Sequence, residues 1–308
     1  MPATWIPAEP ETADAPRGSG RISLRYEDVA QDGRAALVAL PQALGESVWR
    51  AMLRNHPADA VMRAEGILPI LSRLVIVGED GPCSVDRPLE ATGTFEPACG
   101  LGPDGEVERL YLNMWARVEG PRARTFDPQP ERAGERQLVG CVFGEHVFTR
   151  PFSPPAARKV TTLTLPGLPA RPERVYAARS LAALLDAPAD ATPLDAASDT
   201  DELAITFSLS HTDSNQHVNS LVYPRLFEDA ATRRLAQRGV ARPVLARAVE
   251  LLYRKPFFAG ERARIVLRVF RGEGHFHAIG AFYADDALRD GRPAANARPH
   301  CVVRMLLR

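Results

Sequence analysis

Lysine is almost missing from this chain. Lys159 and Lys255 are the only two, so arginine supplies nearly all of the 38 basic residues, and 38 acidic residues bring the formal net charge to +0. A neutral chain has no global field for nucleic acid or an anionic membrane, so an acidic partner has to be met by a local patch. The arginine bias, together with the alanine and proline content, reports a GC-rich genome rather than a function. No run approaches the roughly 18 apolar residues of a membrane helix. Met1 to Gly20 is rich in Pro, Ala, Glu and Gly without the apolar core of a secretory signal, and it reads as a flexible segment, residues 1–20.

Cysteine is also scarce. Cys83, Cys99, Cys141 and Cys301 stand far apart with no Cys-x-x-Cys pair, which argues against a disulfide framework or a thiolate zinc site. None lies close in sequence to His217, so the four are expected to be buried small apolar residues, and a reducing cytoplasm is the expected location. His275 and His277 alternate on an expected strand and share a face, but the spacing supplies no third ligand. No metal and no cofactor are therefore expected.

What is present is 308 residues, 45% of them apolar, enough for two domains or one fused pair with a sizeable core. The same element order is legible twice. In the first half a strand at Ile22 to Glu27 leads to a helical stretch from Pro41 to Arg54, then to strands near Ile70–Val77, Leu89–Phe95, Arg109–Val118 and Leu138–Phe148. In the second, a strand over Leu203–Leu209 leads to a helix over Leu221–Arg238, then to strands near Arg247–Tyr253, Arg262–Phe270, His277–Tyr283 and Cys301–Leu307. Pro224 cannot donate to an earlier carbonyl, so the regular helix is expected to begin near Ser220 or Leu221. The class is α+β, with one long helix against an antiparallel sheet in each half. The expected division is 21–157, a proline- and alanine-rich linker at 158–200 that crosses the surface, and 201–308.

The densest polar chemistry lies at the strand-to-helix turn Asp213-Ser214-Asn215-Gln216-His217-Val218-Asn219, with Tyr223 one turn further on. The first N–H groups of a helix lack intrahelical acceptors and carry partial positive charge, so an acyl carbonyl over them is polarised. Asp213 can act as a base on water or attack the carbonyl, while Asn215 and His217 can orient water or a leaving sulfur. Taken singly, the same residues also suit a capping Asp213, turn-forming Asn215 and Asn219, and a half-buried His217. Glu228 and Asp229 sit more than one turn from His217 and read as a solvated face. Arg225, Arg233, Arg234, Arg254 and Arg262 suit either a phosphate or an ordinary charged surface.

Asp-x-Asn-x-His-Val-Asn followed by Tyr223 and the Glu228-Asp229 pair resembles the hotdog-fold thioesterase superfamily, and most of all its acyl-acyl-carrier-protein thioesterases. A weaker likeness runs through Arg25-Tyr26-Glu27, Asp32-Gly33 and Gln42 to Ser47, which resembles that family's first repeat without the catalytic motif. The resemblance implies two fused hotdog repeats, the first degenerate. It also implies a catalytic set of Asp213, Asn215 and His217, lining roles for Asn219 and Tyr223, and an acyl-carrier-protein or coenzyme A thioester as partner. It implies a monomer with an internal pseudo-dimer, or a homodimer of it. The family's further Glu-Cys pair aligns with Arg254-Lys255, so either Glu250 substitutes for that carboxylate or the site works without it, and Arg254 becomes a candidate substrate-binding residue. Alternatives to a thioesterase of fatty-acid or polyketide metabolism are a hotdog dehydratase or acyltransferase of the same pathways, and a non-catalytic acyl-binding protein.

Overall fold

The computed structural model describes residues 5–10, 15–54, 56–167, 171–240 and 244–308. The chain divides into two compact units, Met1–Ala178 and Arg179–Arg308. Parts of the expected flexible segment (1–4 and 11–14) and of the expected linker (168–170) lie outside the described residues.

In the first unit, β1 (Arg17–Ile22) precedes a helix that starts as α1 (Gln42–Leu44) and continues as a π-helix over Gly45–Leu53. Then come α2 (Pro57–Ala64), β2 (Leu68–Gly78), β3 (Leu89–Leu101), β4 (Val107–Pro121) and β5 (Arg136–Thr149). The strands pair antiparallel in the order β1-β3-β4-β5-β2. Two expectations are corrected here. The strand expected at Ile22 to Glu27 ends at Ile22, and Tyr26–Asp28 is a 3-10 turn. The segment expected to be flexible over 1–20 contributes to the fold, since β1 starts at Arg17 and the Trp115 indole donates to the Pro7 carbonyl at 2.8 Å.

The helix lies close on this sheet because the residues beneath it are small. Gly18 of β1 and Gly93 of β3 are cross-strand partners. A Cβ at Gly18 would sit 2.0 Å from the Ser47 carbonyl oxygen, and one at Gly93 would sit 2.3 Å from Ser47 Oγ. Ser47 disposes of its own hydroxyl by donating to the Ala43 carbonyl at 2.7 Å, so it can be fully buried there.

In the second unit, α3 (Leu181–Leu185) is followed by the two-residue strands β6 (Thr192–Pro193), β7 (Asp199–Thr200) and β8 (Ile205–Thr206), and then by α4 (Val222–Gln237). β9 (Ala246–Tyr253), β10 (Arg262–Arg271), β11 (Phe276–Ala284), a small hairpin of β12 (Leu288–Arg289) and β13 (Arg292–Pro293), and β14 (Cys301–Leu307) complete it. The antiparallel order is β9-β14-β11-β10, with β6, β7 and β8 each pairing with β10. The expected strand over Leu203–Leu209 shrinks to Ile205–Thr206, because the chain turns into a 3-10 helix at Leu209–His211. Residues 192–200, expected in a surface-crossing linker, are instead stitched into the sheet. Asp195 is buried and accepts from Arg238 Nε at 2.6 Å and from the Val269 N–H at 2.8 Å, while Asp201 receives Arg233 at 2.6 Å.

Helix α4 packs on one face of this sheet through Tyr223 and Phe227, whose rings meet Phe282 at 5.2 and 6.4 Å. Burying each such ring contributes about 1.5–3 kcal/mol. The opposite face carries a second small core of Leu252, Ala281 and Val302 covered by Leu184 of α3. With both faces covered, β9 is buried along nearly its whole length. The helix starts at Val222 with Leu221 as its flanking residue, which puts Pro224 in the first turn, where no N–H is needed.

Two outcomes are expected from this packing. Gly93→Ala should destabilise the protein by about 1–3 kcal/mol in urea denaturation, because backbone on β4 and the helix at Ser47 leave no room for a methyl group. His146 of β5, 7% exposed and edge-on to Trp49 at 5.6 Å, is held neutral by burial, which lowers its pKa from 6.5 to about 4. The unfolded chain binds this proton and the folded one does not, so the contribution is complete above pH 6.5 and is lost as pH falls toward 4. His146→Gln should flatten the fall of Tm across that window relative to wild type, and parallel profiles would refute this origin.

Candidate active site

The turn that leads into α4 is a tight hairpin. Thr212 and Val218 form an antiparallel bridge, the Asp213 N–H donates to the His217 carbonyl at 3.2 Å, and the Gln216 N–H donates to the Asp213 carbonyl at 2.9 Å. Gln216 takes the left-handed conformation at φ 64°, which closes the loop. Two bonds seat the hairpin on its neighbours: Val218 N–H to the Phe257 carbonyl at 2.8 Å, and Asn219 N–H to the His211 carbonyl at 2.9 Å.

Within this hairpin the structure brings Asp213, Asn215 and Asn219 into direct contact. One carboxylate oxygen of Asp213 accepts the Asn215 N–H at 2.8 Å, and the other accepts Nδ2 of Asn219 at 3.0 Å. Oδ1 of Asn219 accepts the Leu221 N–H at 2.8 Å, and its main-chain carbonyl accepts the Val222 N–H at 3.0 Å. The amide orientation follows from these partners, since an oxygen turned toward a carboxylate would repel it. Asp213, His217 and Asn219 are half-buried and Asn215 is exposed. His217 lies in the same hairpin with Nδ1 at 3.3 Å from the Val218 carbonyl, which occupies that nitrogen and leaves Nε2 as the other polar end of the ring.

The electrophilic end of the helix is less open than the sequence implies. Leu221 and Val222 N–H are both bound by Asn219, and Pro224 has none. Tyr223 is buried among Phe207, Tyr253, Phe257 and Phe282, and burial, with Cys301 beside it, pushes its phenol well above the ordinary range. The Tyr253 hydroxyl donates to the Ser220 carbonyl at 2.9 Å, pinning the residue before the helix to β9.

Glu250 is not part of this cluster. Tyr253 faces α4, and alternation along β9 turns Glu250 to the other face, where it is buried opposite Arg304 and 3.8 Å from Arg179. Arg254 is exposed just beyond β9, and its main-chain N–H donates to the His300 carbonyl at 2.8 Å. Neither residue touches Asp213, Asn215 or His217 among the described contacts. Glu228, read as solvated, binds the Ala246 N–H at 2.8 Å, and burial raises its pKa. Arg233 and Arg234 are engaged by Asp201 and Asp199, and Arg262, though exposed, pairs with Asp285, while Arg225 and Arg254 are exposed with no ion pair among the described residues. Three of the cysteines are buried and Cys141 is half-buried.

The first unit repeats this hairpin bond for bond without its chemistry. Val29 bridges Ala35, the Ala30 N–H meets the Arg34 carbonyl, the Gly33 N–H meets the Ala30 carbonyl, and the Ala36 N–H meets the Asp28 carbonyl. Gly33, at φ 87°, stands where Gln216 stands. In that register Ala30 replaces Asp213, Asp32 replaces Asn215, Arg34 replaces His217, Ala36 replaces Asn219 and Pro41 replaces Pro224. A cavity of about 480 Å³ in the first unit is lined by Pro16, Met52, His56, Phe95, Pro97 and Gly167.

One constellation escaped the sequence. Asp190, on the segment after α3, comes to His275 and His277, with donor atoms of all three within 4.8 Å of one another. The His-x-His pair was visible, but its third member is brought in by the fold and had no local signal.

No family model matches the chain, and no curated protein matches it by sequence. Solved structures do match along nearly its whole length. A protein of Lactobacillus plantarum provisionally described as an oleoyl thioesterase superposes at TM-score 0.56 and 15% identity, over 96% of this chain and 97% of that one. An acyl-ACP thioesterase of Bacteroides thetaiotaomicron gives 0.53 and 15%, over 95% and 98%. The 12:0-ACP thioesterase of Umbellularia californica gives 0.52 and 12%, over 95% and 97%.

Asn219→Ala removes both the cap of the Leu221 N–H and the bond to Asp213. It should cost about 1 kcal/mol of stability, and unchanged thermal unfolding would show that the cap contributes nothing. The fold of this chain is that of the hotdog thioesterases.

Proposed function

We propose that the chain hydrolyses an acyl thioester carried by acyl-carrier protein or coenzyme A, with the hairpin before α4 as its site. The observation that carries this reading is the Asp213 carboxylate, oriented by Asn219 and the Asn215 N–H at the start of a helix, in a fold shared with acyl-ACP thioesterases. Asp213 activates water or attacks the thioester carbonyl; thiolate leaves, so no metal is required for that step. His217 and Asn215 orient water or the leaving sulfur. The developing oxyanion takes N–H groups at the helix start that Asn219 does not already bind.

The two units, Met1–Ala178 and Arg179–Arg308, are in this reading two hotdog repeats, each reaching into the segments expected as tail and linker. The matched hairpins support it, and the loss of Asp213, His217 and Asn219 equivalents from the first supports a single catalytic copy. Asn219 positions the carboxylate and Tyr223 lines the site. Arg254, exposed near the end of β9, is free to meet a phosphate of the carrier arm. Glu250 is left with a structural role. A cytoplasmic enzyme of fatty-acid or polyketide metabolism fits this chemistry, and no helix among the described residues is long and apolar enough to cross a membrane.

One observation favours a second reading, a non-catalytic acyl-binding protein: both oxygens of Asp213 already accept bonds within its own hairpin. The two readings separate on a panel of acyl-CoA and acyl-pantetheine substrates. Hydrolysis releases free thiol, a dehydratase removes water from the acyl group and keeps the thioester, and a binder leaves the substrate unchanged. Thiol release is expected from wild type, and Asp213→Asn should lower it at least about tenfold. Unaltered rates in Asp213→Asn would remove this residue from the chemistry.

A further inference from the structure

The outer face of the second unit's sheet, turned away from α4, holds a group of donors that the thioester chemistry does not use. His277 of β11 is 5% exposed. His275 sits at the end of the β10–β11 hairpin, half-buried, and its Nε2 lies 3.1 Å from Nε2 of His277. Asp190 approaches from the segment between α3 and β6.

Three features of this group suit a cation. First, Nδ1 of His275 lies 2.8 Å from the Glu273 carbonyl, which can only accept, so that nitrogen carries the proton and the neutral ring turns a bare Nε2 toward His277. A carbonyl holding the far nitrogen is the usual support of a metal-binding imidazole. Second, the hairpin makes room for this ring: a Cβ on Gly272 would fall 2.3 Å from His275 Nε2. Third, Nδ1 of His277 is buried with no hydrogen-bond partner among the described residues, so no acceptor or donor on that side sets the tautomer, and the Nε2 that faces His275 can present a lone pair.

The spacing agrees. Ligands of a tetrahedral zinc ion at about 2.0–2.1 Å stand about 3.3 Å apart, close to the 3.1 Å between the imidazoles. Asp190 is exposed, and its carboxylate lies within 4.8 Å of both imidazole donors. Arg304 lies on the same face and opposes a cation, but it pairs in register with Glu250, whose carboxylate offsets it. Two imidazoles and one carboxylate, with no thiolate, select a transition ion over magnesium or calcium.

We propose that Asp190, His275 and His277 bind one divalent transition-metal ion, with zinc as the natural occupant and a fourth position open to water. The ion would clip the segment after α3 onto the β10–β11 hairpin, and stabilise the folded chain by binding it alone.

The test is titration of the chelator-stripped full-length protein with zinc against a chromophoric competitor, together with cobalt and its visible spectrum. One zinc per chain is expected, with a rise in Tm and a cobalt spectrum free of thiolate bands. His275→Ala and Asp190→Asn, both at accessible positions, should keep the fold and weaken binding by more than about a hundredfold, beyond the roughly 10–100-fold that loss of a supporting bond costs. Absence of stoichiometric binding in wild type would overturn the proposal and leave the imidazoles simply hydrogen-bonded to each other. Undiminished affinity in a folded His275→Ala variant, or thiolate bands from cobalt, would overturn it by moving the ion elsewhere.

Discussion

Asn219 does two things with one amide. Its nitrogen fixes the Asp213 carboxylate at 3.0 Å while its oxygen closes off the Leu221 N–H at 2.8 Å, so the orientation of the acid and the start of α4 are set by the same side chain. Everything proposed about chemistry depends on this link. A carboxylate on a surface hairpin would sample several rotamers, whereas one held from both sides presents its free lone pairs in one direction. The cost falls on the other partner of the reaction, because N–H groups bound by Asn219 are not available to an oxyanion.

The comparison of the two hairpins shows how little of the backbone is specific to that chemistry. Both units turn from a 3-10 helix through a bridged loop into a helix with a proline at the same place, and both need a left-handed residue at the tip, Gly33 in one and Gln216 in the other. What differs is the side chains: Ala30 and Ala36 cannot hold or supply a carboxylate. The first unit has its own constraint, the glycine row beneath Ser47 that lets the helix lie on β1 and β3. A shared fold thus carries one polar hairpin and one plain one.

Most strands were legible because branched and aromatic residues recur at the strand period; Cys301–Leu307 and Ala246–Tyr253 fall within a residue of expectation. The helix start was legible from Pro224 alone. β1 was not, since Arg17–Ile22 has two glycines where a strand normally shows apolar residues, and only the helix above explains them. The helical stretch over Gly45–Leu53 lies within the helix expected from Pro41 to Arg54, but neither its π-helical form nor the short α2 was legible. In the candidate site, Asp213, Asn215 and Asn219 were legible as a group because they are local in sequence. Glu250 was misplaced because β9 is buried on both faces, so alternation cannot say which face meets the helix. Asp190 was out of reach for the opposite reason, as its partners come from a distant hairpin.

The most direct measurement of the central claim is the coupling between Asp213 and Asn219 in thioester cleavage. Single and double variants, Asp213→Asn, Asn219→Ala and both, should be compared for thiol release at a temperature where all are folded. If Asn219 acts by holding the carboxylate, its removal should slow wild type but add little once Asp213 is already replaced. Losses that simply multiply would contradict the account, and would mean that the two residues serve the protein independently.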